Sequence, residues 1–431
     1  MSSMDVGKTC WFAVFVIGTL PAQDWPTFRG PAGLGVSSAK GVPTVWSAEK
    51  NVRWKVPLAR PANGSPIVSN GCVFLTYAED AEGKERSLYC FDRATGKQLW
   101  KRSVSHDKKM PTHRTNPYGG STPAADGERV VVWHASAGLY CYDFKGKELW
   151  SHDFGEYRHR WGYGTSPVLH KGRVILHTGP GRQVFVIAMD VVTGKFLWRH
   201  MEPVYGDGQD NAAKRYMGSW CTPIVVEVAG KEQVLCTMST RLLGLDIDSG
   251  EVLWSCQGLA GKRGDLAYSS PVVVGDICSV LAGYEGPELG VRLGGKGDVT
   301  KTHRLWRHDN RPDNIGSGVA VAGKIYLPDA RGFVVCLDPV TGKRLWSARP
   351  AKGLLWSSVV FVDDHLFVTN QRGTTVVFEP NPKKCVVVAL NELGETTNST
   401  PAFAGSEIFI RTHKHLYCIH KSPPAKKLGG K

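Results

Sequence analysis

Several segments of the chain combine cationic, aromatic and glycine residues in a pattern suited to binding a small ligand. Glycine lets a backbone approach closely, aromatic rings offer stacking faces, and arginine supplies planar donors for carboxylates or other anions. We therefore expect a site for an anionic or carbohydrate ligand; the alternative is that the rings pack between strands and the arginines are solvated. The candidate residues are His113, Arg114, Tyr118, Arg158, His159, Arg160, Trp161, Tyr163, Arg215, Tyr216, Trp220, Tyr268 and Asn314.

Patterns that would indicate catalysis or a metal site are absent from the sequence. The run 246–251 (DIDSGE) superficially resembles a calcium loop, but it is too short for one and matches a hairpin turn. No Cys-x-x-Cys-His haem motif occurs, and histidines such as His106, His134 and His177 lack metal-ligand spacing. We predict no catalytic residue and no metal ligand from these patterns.

The candidate segments lie between copies of a repeat that must position them. In each copy an apolar strand leads to Asp, then to a turn with Gly, then to a second strand that ends in Trp. Asp and Thr hydrogen-bond the turn backbone and Gly accepts positive φ, so each copy predicts an antiparallel hairpin whose Trp is buried between sheets. The copies end at Trp100, Trp150, Trp198, Trp254 and Trp346, with a degenerate copy and a Gly286–Gly297 insertion before Trp306.

A second mark, containing Ser or Thr and usually Pro, precedes each unit. Proline suits the first residue of a strand because no ladder donor is needed there. Four short strands per unit at spacings of about 40–55 residues predict an all-β fold, an eight-bladed β-propeller with four-stranded antiparallel blades. The marks are residues 65–68, 121–124, 166–169, 221–225, 270–273, 317–320, 357–360 and 399–402.

The ends of the chain predict how the ring closes. The last unit supplies only three strands, at residues 399–403, 407–411 and 415–420, whereas the early strand 52–58 with Trp54 has no preceding partners. We expect this N-terminal strand to complete the last blade and to remove an exposed sheet edge. The propeller is therefore predicted to span residues 24–420 as one domain.

The N-terminus predicts export. Lys8 precedes an apolar run at residues 10–20 and a small residue, Ala22, as in a signal peptide over residues 1–22. The mature chain should then lie in the periplasm or elsewhere outside the cytoplasm, with no transmembrane segment. The net charge is +14, but no nucleic-acid-binding motif accompanies it, so we expect no nucleic-acid partner. Residues 421–431 are predicted to form a basic disordered tail.

Four of the cysteines occupy equivalent places in different repeats: Cys90, Cys141, Cys336 and Cys418. Equivalent positions in separate blades lie too far apart to be mutual disulfide partners. We expect these residues to be small buried hydrophobes. A bridge between neighbouring strands elsewhere stays open.

The turn pattern Ala-x-Asp-x-x-Thr-Gly-Lys-x-x-Trp, complete over 188–198, resembles the docking repeat of the PQQ-like (pyrroloquinoline quinone) β-propeller family. Residues 24–31 (DWPTFRGP) resemble the opening of exported bacterial members. The resemblance covers residues 24–420 and implies an eight-bladed propeller. Its dehydrogenase members bind PQQ beside calcium with an aspartate base and, in many, a disulfide between adjacent cysteines; no Cys-Cys pair occurs here. Other similar proteins include the propeller subunit of the outer-membrane β-barrel assembly machinery.

Three functions follow, because a fold does not fix a function. The favoured hypothesis is an exported, non-catalytic scaffold in the cell envelope that binds a protein or an anionic or carbohydrate ligand and needs no cofactor. The alternative is a PQQ-dependent dehydrogenase, with calcium, that oxidises an alcohol or sugar. The second alternative is an outer-membrane protein assembly factor that acts in an envelope complex.

Overall fold

The fold is known from a computed structural model, which describes residues 24–181, 183–203 and 216–421. These residues are almost entirely β, with two three-residue 3-10 turns at Pro31–Gly33 and Ala135–Ala137. The predicted signal peptide, and all of the predicted tail except Lys421, lie outside the described residues. The described part of the chain contains no helix with the length and apolar character of a membrane span.

The strands of the first half of the chain build four blades, preceded by two N-terminal strands. They are β1 (Val36–Ser37), β2 (Val52–Pro57), β3 (Ile67–Ser69), β4 (Cys72–Ala78), β5 (Glu85–Asp92), β6 (Gln98–Ser105), β7 (Ala124–Ala125), β8 (Arg129–Trp133), β9 (Leu139–Asp143), β10 (Glu148–His152), β11 (Val168–His170), β12 (Arg173–His177), β13 (Phe185–Asp190), β14 (Phe196–Met201), β15 (Met217–Ser219), β16 (Ile224–Val228), β17 (Lys231–Thr237), β18 (Arg241–Asp246) and β19 (Val252–Gln257).

The second half of the chain continues the same pattern. Its strands are β20 (Asp265–Ala267), β21 (Val272–Val274), β22 (Ile277–Leu281), β23 (Glu288–Arg292), β24 (Gly297–Asp298), β25 (Arg304–His308), β26 (Val319–Val321), β27 (Lys324–Asp329), β28 (Phe333–Leu337), β29 (Arg344–Ala348), β30 (Val360–Val362), β31 (His365–Thr369), β32 (Thr374–Phe378), β33 (Val387–Glu392), β34 (Ala402–Ala404), β35 (Glu407–Arg411) and β36 (His415–His420).

Eight antiparallel sheets form the blades, which confirms the predicted eight-bladed propeller. Within blades 1 to 7 the strands of a blade are ordered as they follow in the chain, so the first strand lies nearest the axis and the fourth lies at the rim. The first strands β3, β7, β11, β21, β26, β30 and β34 each contact a neighbouring first strand, and β3 contacts β34 across the closure. A short parallel pair, β15 with β20, joins the segments that precede blades 4 and 5.

The ring closes as expected from its two ends. Strand β2 pairs antiparallel with β36, in the sheet order β2-β36-β35-β34, so the N-terminal strand is the fourth strand of blade 8. Trp54 lies opposite Cys418 in this pairing. The closure leaves blade 8 with four strands like its neighbours, and it ties residues more than three hundred positions apart.

The rim repeats one contact from blade to blade. The indole Nε1–H of Trp198 donates to the carbonyl of Ile247 in the turn of the next blade, at 2.8 Å. The turn glycine, Gly250, lies flat against that indole, and a Cβ there would come within 2.4 Å of the ring. The same indole-to-carbonyl bond joins Trp54 to Arg93, Trp100 to Phe144, Trp150 to Val191, Trp306 to Pro339 and Trp346 to Asn381, at 2.8–2.9 Å.

Two junctions depart from this contact. The fully buried Trp254 donates to Oε1 of Gln233 within its own blade, and strand β24 pairs parallel with β19 beside it.

The insertion expected at Gly286–Gly297 is wrong in its position, because Glu288–Arg292 forms β23. The extra residues lie between β23 and β25. At the outer strand of blade 7, which has no Trp, Trp46 is buried, and its backbone N–H donates to Asn391.

The calcium-like run 246–251 is a hairpin turn between β18 and β19. Asp246 Oδ1 accepts the backbone N–H groups of Asp248 and Ser249 at 3.0 and 2.9 Å. These bonds lower the pKa of the Asp246 carboxyl, since they stabilise its ionised form. Asp246 therefore stabilises a hairpin turn, which is the role that the sequence predicted for this run.

The core lies between neighbouring blades, and it contains the repeated cysteines. Cys90, Cys141, Cys336 and Cys418 are all fully buried. His134 and His177 are buried as well, and burial lowers their pKa values to about 3 and about 4, so both are neutral core residues. Burial also lowers the pKa of His106.

Candidate functional site

The Ser and Thr marks form a hydrogen-bonded ring around the propeller axis. The hydroxyl of one blade accepts the backbone N–H of the equivalent residue in the preceding blade, at 2.9–3.2 Å. Seven of the eight junctions carry this bond, and it is missing between Thr222 and Ser270. The ring consists of Ser65, Thr122, Ser166, Thr222, Ser270, Ser317, Ser358 and Thr400. The Ser and Thr marks that precede the first strands therefore also form the narrow part of the central channel, which is called the neck below.

The N-terminal segment 25–37, called the plug below, crosses the axis on one side of this ring. Trp25 pairs with Val68 on the first strand of blade 1, and the carbonyl of Pro26 accepts from Ala125 of blade 2. The 3-10 turn contacts β11 and β16, and β1 then pairs parallel with β30 of blade 7. A short segment can reach first strands on opposite sides of a ring only by lying across its centre, so the plug closes this end.

Arg29 fixes the middle of the plug. Its side chain is fully buried, and Nη2 donates to the carbonyls of Leu34, at 3.1 Å, and of Gly318 in blade 6. Burial lowers the pKa of Arg29 to about 9, because the charged form loses solvation. The neighbouring Phe28 lies on the channel side and forms part of the cavity wall.

On the other side of the ring lies a cavity of about 420 Å³. It is lined by the ring hydroxyls and by the segments that precede the first strands. Four of the proposed binding residues line it: His113, Trp161, Trp220 and Tyr268. The volume is within the ~300–1,000 Å³ typical of small-molecule sites.

Aromatic side chains from blades 3 to 5 form one wall of the cavity. Ring centroids of Trp161 and Trp220 lie 6.1 Å apart, Trp220 and Tyr268 5.4 Å, and Trp161 and Tyr284 5.7 Å. The rings are mutually tilted by 48–58°, and all four residues are half-buried. Trp356 lines the cavity farther round, in the segment before blade 7.

Amide side chains from blades 1, 2 and 8 form the opposite wall. Asn63 Nδ2 donates to the carbonyl of Thr115 at 2.9 Å and to Asn116 Oδ1 at 3.2 Å. Asn398 Nδ2 donates to Asn63 Oδ1 at 3.2 Å, while its Oδ1 accepts from Gln371 at 2.8 Å. Asn116 Nδ2 donates onward to the backbone near Trp161. The amide network is therefore held before any ligand arrives.

Asp313 is the one carboxylate among the lining residues that the structure describes. Asp313 Oδ1 accepts the backbone N–H of Glu285 at 2.5 Å, and burial raises the pKa of this carboxyl. The bond holds the segment that carries Tyr284, whose φ of 57° lies in the left-handed region that a tyrosine rarely adopts. Burial also raises the pKa of Tyr268. Strained backbone of this kind is often found at binding sites.

Other proposed residues lie around the cavity without lining it. Tyr118 and Tyr163 are buried and enclose the guanidinium of Arg86, at 5.4 and 5.2 Å from their ring centroids. His159 is buried edge-on to Trp220, with centroids 4.8 Å apart. These three side chains support the walls.

The remaining proposed residues do not line the cavity, and most of those that the structure describes are exposed. Arg160 is exposed, lies 5.0 Å over the Tyr216 ring and donates to its hydroxyl, while Tyr216 packs on Trp161 at 5.0 Å. Arg114 and Arg158 are exposed and do not line the cavity. Asn314 is buried beside Asp313, and Arg215 lies outside the described residues.

Most of the residues that line the cavity were not among the proposed binding residues. Phe28, Asn63, Asn116, Tyr284, Trp356 and Asn398 line the cavity but were not proposed. A usable signal existed for some of them, since Asn63 and Asn398 occupy the positions just before a Ser or Thr mark. Phe28 comes from the plug and carries no such signal.

The PQQ cofactor of dehydrogenase members does not fit the residues of this cavity. PQQ is a polycarboxylate, and the described lining residues include no lysine or arginine to pair with it. Calcium prefers several carboxylate oxygens, whereas Asp313 is the one carboxylate among these residues. Across the described ranges no cluster of three or more His, Cys, Asp or Glu side chains is arranged to hold a metal ion.

Comparison with known proteins gives two groups of relatives. The family model described as outer membrane protein assembly factor BamB matches residues 33–111, 84–348 and 295–421. BamB of Burkholderia pseudomallei is 22% identical over 359 residues, which cover 73% of this chain and 84% of the relative. Quinohemoprotein alcohol dehydrogenase ADH-IIG of Pseudomonas putida is 24% identical over 243 residues, which cover 51% of this chain and only 31% of the dehydrogenase.

Solved structures share the fold. BamB from Moraxella catarrhalis superposes with a TM-score of 0.60 at 14% identity, covering 85% of this chain and 99% of that one. Quinohemoprotein alcohol dehydrogenase ADHIIG from Pseudomonas putida gives a TM-score of 0.61 at 13% identity, covering 95% and 82%. At such identities the likeness establishes the propeller architecture alone.

Proposed function

This chain belongs to the family of the outer membrane protein assembly factor BamB, and we propose that it acts outside the cytoplasm as a non-catalytic scaffold in outer-membrane protein assembly. The observation that carries the proposal is the extent of the family match. It reaches from residue 33 to residue 421, across all eight blades, and the Burkholderia relative is covered over 84% of its length. The dehydrogenase relative is covered over 31%, so that likeness leaves most of the enzyme unmatched.

The cavity chemistry favours the scaffold over the dehydrogenase. A quinone with several carboxylates needs cationic donors, and the described lining offers hydroxyls, amides and aromatic rings instead. The single carboxylate, Asp313, is bonded to the backbone of Glu285 and supports a strained segment. Its contacts give it a positioning role in the wall.

The rim offers surface for a protein partner. The outer strands β6, β10, β14 and β29 have one unpaired edge in the described sheets and carry exposed leucines before their tryptophans. Leu99 and Leu197 are 50% and 48% exposed. An extended segment of a partner can add to such an edge through backbone hydrogen bonds, with apolar side chains giving specificity. The edge of β19 is covered by β24 and is closed to this mode.

The test is genetic and biochemical. We expect depletion of the chain in its own organism to lower the amount of folded outer-membrane β-barrel proteins, measured by heat-modifiable gel mobility. A Phe196→Glu, Leu197→Glu double variant should fold, by its melting temperature, but should restore barrel levels poorly. Leu354→Glu, which changes an exposed leucine away from the outer strands, should restore them fully. Unchanged barrel levels after depletion would disprove the proposal.

The dehydrogenase alternative has its own measurement. Purified chain is titrated with PQQ and calcium, and dye-linked oxidation of alcohols and sugars is followed. We expect neither stoichiometric PQQ binding nor turnover. Turnover that depends on added PQQ would replace the scaffold proposal with an enzyme.

Export is part of the proposal and has a separate readout. We propose that residues 1–22 are removed as the chain leaves the cytoplasm. Intact-mass measurement of chain recovered from the periplasmic and membrane fractions should show loss of this segment. Recovery of full-length chain from the cytoplasm alone would contradict it.

A further inference from the structure

We propose that the cavity between the hydroxyl ring and the loops before the first strands binds a neutral polyhydroxylated ligand, a carbohydrate of one or two rings. The inference goes beyond the scaffold role, which concerns the rim and needs no small ligand. The sequence predicted an anionic or carbohydrate ligand, and the proposal keeps the carbohydrate and excludes the anion.

The first support is that the cavity presents both hydrogen-bond donors and acceptors. The ring hydroxyls accept backbone N–H groups from the preceding blade, so each keeps its own hydrogen to donate. The amide oxygens of Asn63, Asn116 and Asn398 each accept one bond within the wall and have a second lone pair. An anion uses donors only and a quaternary ammonium uses neither, whereas a sugar hydroxyl donates and accepts at once.

The second support is the aromatic wall opposite the amides. Trp161, Trp220, Tyr268 and Tyr284 line one side, and the C–H face of a sugar ring is the part of a polar ligand that packs on such rings. The sugar's hydroxyls, at the ring edge, would then face the amides and the hydroxyl ring. The two walls therefore match the two kinds of surface of one ligand.

The third support is charge. No lysine or arginine is among the described lining residues, although the whole chain carries a net charge of +14. Two arginines near the mouth lie over aromatic rings: Arg160 over Tyr216 at 5.0 Å and Arg263 over Tyr284 at 4.3 Å. Among the described lining residues the one carboxylate, Asp313, can accept hydrogen bonds from hydroxyls and would repel an anion.

The fourth support is that the cavity is closed at one end and preorganised. The plug seals the side below the ring with Phe28 facing the cavity, so a ligand enters from the loop side. The amide network and the Asp313–Glu285 bond hold both walls in place. Little ordering cost then remains for binding, which is the main condition for a small ligand to bind measurably.

The test uses the full mature chain and follows tryptophan fluorescence and isothermal titration. The neutral probes are glucose, cellobiose and chitobiose; the comparison probes are glucuronate and choline. We expect at least one neutral sugar to bind, glucuronate to bind more weakly than glucose, and choline not to bind. The fluorescence should respond because Trp161, Trp220 and Trp356 line the cavity.

Two variants locate the binding. Trp161→Ala removes the central ring of the aromatic wall and should weaken the sugar's affinity about tenfold or more. Asp313→Asn keeps the shape of the side chain and should weaken it by a smaller factor, with the melting temperature showing that each variant folds. Phe196→Ala, an exposed aromatic on the rim, is the matched control and should leave the affinity unchanged.

Several results would overturn the proposal. They are no binding of any neutral probe, equal affinity in Trp161→Ala and the parent, tighter binding of glucuronate than of glucose, or binding of choline alone. None of these bears on barrel assembly, which is read by the Phe196→Glu, Leu197→Glu double variant. Failure of one proposal therefore leaves the other standing.

Discussion

The rim of the propeller and the wall of its central cavity follow different rules. At the rim, one tryptophan donates to one carbonyl of the next turn at six junctions, and at five of these a turn glycine also lies against the indole. In the cavity, the residues just before the Ser and Thr ring are asparagine in two blades and tryptophan in two others. The repeated tryptophan contact stabilises the propeller. The residues that differ between blades give one side of the cavity amide groups and the other side aromatic rings.

The largest expected effect breaks the rim. Trp198→Ala removes a ring that is 7% exposed, together with its bond to Ile247, and leaves a cavity between blades 3 and 4. We expect a loss of about 3–5 kcal/mol in the free energy of unfolding, measured by guanidinium denaturation. Trp161→Ala, in the half-buried cavity wall, should cost clearly less. If the cavity variant costs as much as the rim variant, the division between a structural rim and a binding wall is wrong.

The next effect tests a position that belongs to neither region. Glu288 begins β23 and is fully buried, 3.4 Å from Arg311 Nε, yet burial outweighs the nearby arginines and raises its pKa to about 7. Between the unfolded value of about 4.3 and this folded value, the folded chain holds a proton that the unfolded chain has lost, so stability falls as pH rises from about 4.3 to 7. This group alone should change the free energy of unfolding by about 4 kcal/mol.

Glu288→Gln should remove that component. Denaturation of the parent and the variant at pH 5 and pH 8 gives the difference directly, and other titrating groups such as His177 cancel in it. The variant should gain stability relative to the parent as pH rises. A constant difference at both pH values would show that Glu288 is ionised in the folded chain throughout this range.

A smaller effect tests the junction that departs from the rim contact. Trp254 donates to Gln233 at 2.8 Å within its own blade, because the strand β24 lies beside β19 at this junction. Gln233→Leu leaves the fully buried indole N–H without an acceptor and should cost about 1–3 kcal/mol. Thermal and guanidinium unfolding measure it, and a neutral result would mean that another acceptor replaces the glutamine.

The same contrast explains how much the sequence could predict. Trp100, Trp150, Trp198 and Trp346 stand at one place in a repeated pattern, so the eight blades, the turns and the closing strand followed from local spacing alone. The amide wall joins Asn63, Asn116 and Asn398, which come from three blades and meet only when the ring closes. Asn63 and Asn398 share one place before a Ser or Thr mark, but Asn116 has no counterpart, so the repeat alone does not show that the three amides meet.

Other lining residues could not be predicted because their position depends on local backbone conformation. Tyr284 lines the cavity because its backbone has a φ of 57° and because Asp313 accepts the backbone N–H of the next residue, Glu285. No pattern of residue types predicts this combination. Of the arginines proposed as ligand donors, Arg114 and Arg158 are exposed and Arg160 lies over a tyrosine ring, since long cationic side chains near the mouth keep their charge in water. The cavity is therefore lined by aromatic side chains of the proposed segments, and none of their described arginines lines it.

The smallest expected effect lies in the hydroxyl ring, where the molecule supplies its own control. Ser317 Oγ accepts the backbone N–H of Ser270 at 2.9 Å, whereas no such bond reaches Ser270 from Thr222. Ser317→Ala should therefore cost about 1 kcal/mol in unfolding free energy, and Ser270→Ala distinctly less, because only the first leaves a buried N–H unpaired. Equal costs would mean that the ring contributes through packing of its side chains. Unequal costs would show that even the repeated neck of the cavity has one weak junction, on the side where the aromatic wall begins.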